Sequence, residues 1–106
     1  MFKFFGKDKN KPGNREFKFP DPETRACFTC DHVLNGERPI LFVSHDSDGD
    51  WQFLCGQNDH TEENANVITL RQATDLDQTL NELYEMPVGV GAQRKTDKDK
   101  WVPFRL

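Results

Sequence analysis

PILFVSHDSDGDWQFLC, residues 39–55, decides the fold. Pro39–His45 is a β-branched and aromatic run, Asp46–Asp50 is a polar break, and Trp51–Cys55 is a second apolar run. Two such runs around a break rich in Asp and Gly predict a β-hairpin with a loop of about four or five residues. Nearly every position of both arms is apolar, so the pair is expected in the centre of its sheet, packed on both faces.

Working outward, residues 25–34 (RACFTCDHVL) predict a strand that ends at the Asn35–Gly36 turn. On the other side, Val67–Leu70 predicts a short strand. Leu76, Leu80, Leu83 and Tyr84 then fall on one stripe of an amphipathic helix over Asp75–Met86. Thr74 or Asp75 is expected to cap that helix, and Pro87 to stop it. Val88–Ala92 and Trp101–Phe104, linked by the charged TDKDK stretch, predict a terminal antiparallel pair. The expected class is therefore α+β, a mostly antiparallel sheet of about five strands with one main amphipathic helix packed on a face.

A chain of 106 residues bounds this to one domain. Residues 1–23, broken by Pro12, Gly13, Pro20 and Pro22, read as a flexible basic leader, with the folded unit over 24–106. No run reaches the roughly 18 apolar residues of a membrane span, and the first residues do not form a secretory signal. A cytoplasmic protein is expected, without stable membrane insertion. Residues 1–18 hold six Lys/Arg against two Asp/Glu, while 19–106 hold eight against sixteen. An acidic body repels nucleic acid, which needs a cationic surface, and suits a basic protein partner. Oligomeric state is not fixed by these patterns.

Three cysteines leave one unpaired in any intrachain scheme, so reduced thiols are expected. Thiolate and imidazole are the ligands zinc prefers, and Cys30, His32, Cys55 and His60 form a candidate metal set. In a strand Cys30 and His32 share a face, whereas Cys27 points to the other. The alternative is buried reduced cysteines acting as small hydrophobes, with no cofactor. A Cys/His nucleophile fares worse. A four-residue loop places His45 opposite Gln52 and Phe42 opposite Cys55, so His45 and Cys55 project to opposite sides of the sheet. No catalytic residue is assigned.

Asp46, Asp48 and Asp50 alternate like a calcium loop, but the positions that need glycine and a bidentate glutamate hold Trp51 and Gln57. A turn is the better reading. These carboxylates, with Asp59, Glu62 and Glu63 in the next loop, remain candidates for contacting a basic partner. Trp51 can anchor such an interface or pack in the core.

The succession CDHVLNGERPILFV, DGDWQFLCGQNDH, NANVITL, a leucine-rich helix and EMPVGVGAQRK resembles a bacterial family once called domain of unknown function 2185 and later immunity protein 33. The resemblance spans about residues 25–104. It implies a small α+β cytoplasmic protein that neutralises a cognate toxin, and it carries no catalytic motif. The expected function is thus a non-enzymatic protein-binding module. The alternative is a small zinc-binding or thiol redox-responsive domain using the Cys/His cluster.

Overall fold

The structure is a computed structural model that describes residues 16–57 and 65–106. It is an α+β fold of nine elements among the described residues. These are β1 (Ala26–Cys30), α1 (Asp31–Leu34), β2 (Phe42–His45), β3 (Trp51–Leu54), β4 (Ala65–Thr69), α2 (Leu70–Leu76), a 3-10 helix (Gln78–Leu83), β5 (Val90–Gln93) and β6 (Val102–Arg105). The strands form one six-stranded sheet in the order β4-β1-β3-β2-β5-β6. All neighbours are antiparallel except β1 and β3, which run parallel. The hairpin β2–β3 is central as expected, but the described helices pack on one of its faces and not on both, and β5–β6 is the terminal antiparallel pair.

The hairpin register differs by one residue from the expected one: His45 faces Trp51, and Phe42 faces Leu54. Gly49 is the cause. It adopts φ +93°, its N–H donates to the Asp46 carbonyl at 2.8 Å, and the Asp46 N–H donates to the Asp50 carbonyl at 2.8 Å. A left-handed glycine in this place makes a turn with a bulge, which adds a residue to the loop. His45 therefore shares a face with Trp51, and the parity argument that separated it from Cys55 falls. The imidazole instead stacks on Trp51, with centroids 3.9 Å apart, at the far end of the strand pair from Cys55.

The expected helix over Asp75–Met86 is replaced by two shorter elements. Thr69 caps α2 immediately after β4 in a reciprocal box with Gln72, so the helix begins five residues early. Thr74 is buried and donates to the Arg71 carbonyl, and Asp75 pairs with Arg71, so neither caps. The helix breaks at Asp77, in extended backbone, whose carboxylate accepts from the Thr79 N–H and starts the 3-10 helix. Leu80 and Leu83 are buried as the stripe requires, while Leu76 and Tyr84 are exposed.

The core lies on one face of the sheet, where Val43, Trp51, Phe53 and Ala92 meet Leu70, Ala73, Leu80 and Leu83. Phe19, placed by sequence in the leader, is buried there and meets Trp51 edge to face at 5.1 Å. The strap is fixed because the Lys18 N–H donates to Asn81 Oδ1 and Asn81 Nδ2 donates to the Glu16 carbonyl. Its prolines permit this, since an extended strap needs no ladder bonds of its own.

Pairing places Phe28, Phe42, Leu54, Val67, Val102 and Phe104 on the opposite face. No helix among the described residues covers them. None of those helices is long and apolar enough to cross a membrane.

Candidate functional site

The parallel pair β1–β3 carries Thr29 level with Phe53, so the carboxyl ends of the two strands finish side by side. Cys30 is the last residue of β1 and Cys55 follows the last residue of β3. The chain then turns at once into α1, which swings His32 back over the strand ends. The two sulfurs and one imidazole nitrogen lie within 4.8 Å of one another. Cys30 and His32 are thus brought together by a helical turn, where the sequence predicted strand alternation. His60, the fourth residue of the predicted set, lies outside the described residues. Both cysteines are buried, and all three of the chain are free thiols.

Arg38 is the site residue that sequence reading missed. The two residues after Gly36 fold back onto α1, where the Glu37 and Arg38 N–H groups donate to the His32 carbonyl. This aims the Arg38 guanidinium into the cluster, with Nη1 3.5 Å from Cys55 Sγ and 3.5 Å from His32 Nδ1. A guanidinium only donates, so it presents N–H groups and positive charge to the sulfur, an arrangement suited to a thiolate. The available signal was Gly36, whose φ of +77° permits the tight return.

Cys27 stands apart chemically. Burial pushes its thiol from an ordinary value of 9.0 up to about 12, with the nearby Arg25 charge opposing the shift. It is an inert core residue at neutral pH.

The predicted partner-binding residues separate into three groups. Trp51 is 1% exposed under Phe19 and His45, so it is a core residue and not an interface anchor. Asp46 accepts from Gln52 Nε2 at 2.7 Å, and Asp50 pairs with Arg25 at 3.3 Å, so these two carboxylates are engaged within the fold. Asp48 is exposed at the hairpin tip. Asp59, Glu62 and Glu63 lie outside the described residues.

The sheet face opposite the core, which no described helix covers, has two adjoining rows. One runs Phe104, Gly91, Ser44, Gln52, Phe28, Val67, and the other contains Val102, Gln93, Phe42 and Leu54. Val67 is 65% and Val102 58% exposed, and Phe42 meets Phe104 with centroids 5.6 Å apart. The bond from Gln52 ties Asp46 to the edge of this face, so the acidic hairpin tip borders it. Compared with protein-family models, with curated proteins and with solved structures, the chain finds no match.

Proposed function

We propose that the chain is a non-enzymatic protein-binding module of the cytoplasm, of the immunity type implied by its sequence resemblance, which masks a basic surface on a cognate toxin. The observation that carries this reading is the sheet face that no described helix covers, with its aromatic and aliphatic rows bordered by the acidic tip at Asp46 and Asp48. An apolar centre with a charged border is the usual anatomy of a protein interface. The border charge sets encounter rate and partner sign, and the apolar rows supply burial. Trp51 takes no direct part. It fixes the sheet from behind.

Co-expression with the product of the neighbouring gene tests the proposal. Rescue of growth and co-purification are expected for the native chain. Both should be lost with Val67→Asp plus Val102→Asp, and weakened by Asp48→Lys, all at exposed positions. No rescue and no co-purification with the native chain overturns it.

A further inference from the structure

We infer that Cys30, His32 and Cys55 form a zinc site, independent of the partner-binding reading above. Three ligand atoms of the types zinc prefers converge within 4.8 Å from two segments of the chain, the β1–α1 junction and the end of β3. In a tetrahedral zinc centre, neighbouring sulfur and nitrogen ligands sit roughly 3.5–3.8 Å apart, given bonds of about 2.0–2.3 Å. Small side-chain rotations close the present spacing to that value. Three protein ligands leave one position for water or a further side chain, as zinc commonly accepts.

The surroundings fit the ion. Two thiolates and a neutral imidazole balance the charge of a divalent cation, so the filled site adds no net charge to the interior. Arg38 stays compatible because zinc-bound thiolate sulfur accepts hydrogen bonds, and Nη1 already lies 3.5 Å from Cys55 Sγ. Its contact with His32 Nδ1 is the one that yields if that nitrogen binds the metal. A surface cleft bordered by Leu41, Phe42, Gly56 and Lys100 has Cys55 in its wall, so the cluster lies close beneath the surface. The bound ion would staple α1 to the ends of β1 and β3, coupling metal occupancy to stability.

The test uses the full chain without a metal-binding tag, reduced, stripped with chelator, and titrated with Co²⁺ and then Zn²⁺. The expected result is one Co²⁺ per chain, with thiolate-to-cobalt charge-transfer absorption and tetrahedral visible bands that Zn²⁺ abolishes. Zn²⁺ should also raise the melting temperature reversibly. Cys30→Ser, Cys55→Ser and His32→Ala should each weaken binding at least about tenfold, the usual order of loss for a removed ligand or its support. Cys27→Ser should leave binding unchanged, which separates site loss from thiol loss in general. Circular dichroism of each variant without metal checks that it still folds. Absence of charge-transfer absorption in the native chain, or its persistence in both folded Cys30→Ser and Cys55→Ser, overturns the assignment. Neither result bears on toxin rescue.

Discussion

Arg94 Nη2 lies 2.6 Å from Asp77 Oδ2, with the arginine side chain 1% and the aspartate 17% exposed. The same guanidinium donates twice to the Ile40 carbonyl, once to Thr79 Oγ1, and stacks 3.9 Å over the Trp101 ring. It joins the break between α2 and the 3-10 helix to the start of the central hairpin and to the link before β6. Removing one member of a buried pair strands the other charge, which costs about 3–5 kcal/mol. Arg94→Ala should lose that much in urea unfolding at pH 7. Arg94→Lys should recover only part, because one ammonium cannot reproduce the planar set of contacts. A loss under about 1 kcal/mol for Arg94→Ala would mean that the clamp is not what holds these elements together.

This clamp explains which parts of the fold were legible. The hairpin and the terminal pair are written in contiguous apolar runs, and they stand where those runs predict. The helix break is not local: Asp77 leaves helical backbone to meet an arginine seventeen positions downstream, which periodicity cannot register. The hairpin register turned on Gly49, whose left-handed backbone adds one loop residue that composition alone leaves open. The burial of Trp51 depends on Phe19, in a segment whose prolines read as leader. Cys30, His32 and Cys55 were identifiable by chemistry, since few residue types bind soft metals. Their convergence comes from a helical turn and a parallel strand pair, which the sequence did not display.

Trp51 should behave as a core residue in solution. With Trp101→Phe as background, its emission should be shielded from acrylamide in the folded chain and become accessible on unfolding. Trp51→Ala should cost about 3–5 kcal/mol, the range for emptying a large aromatic site. Trp51→Phe should cost clearly less, because Trp51 Nε1 has no hydrogen-bond partner among the described residues and its loss breaks no bond. Ready quenching in the folded chain would contradict the stacked arrangement with Phe19 and His45.

Cys27 gives the fold an alkaline limit. Its folded thiol titrates near 12 because burial disfavours the thiolate, against an ordinary 9.0 in the unfolded chain. Below pH 9 both states hold the proton and no stability is lost. As pH rises from 9 towards 12 the unfolded state releases it first, and stability falls by up to about 4 kcal/mol. Cys27→Ala removes this contribution, so the difference in unfolding free energy between it and the native chain should shrink between pH 8 and pH 11. Native-state alkylation at pH 8 should also label Cys27 far more slowly than after denaturation. A pH-independent difference between the two chains would show that Cys27 does not set this limit.

Gly91 sits where β5 passes beneath Phe104 on the sheet face opposite the core. A Cβ there would lie 2.8 Å from Phe104 Cζ and 2.8 Å from the Val43 carbonyl oxygen. The ring can swing, but the carbonyl belongs to the central strand and cannot retreat without disturbing the β2–β5 ladder. Gly91→Ala should therefore destabilise by about 1–3 kcal/mol, the range for overpacking, although alanine suits a strand better than glycine elsewhere. The pairing of β5 with β2 should loosen first, visible as faster amide exchange at Gly91 and Ala92 than at Phe53. Because Phe104 and Phe42 form part of the proposed interface, the same variant should weaken partner capture more than its stability loss alone predicts. Undiminished capture by a destabilised Gly91→Ala chain would move the interface away from the β5–β6 end of the sheet.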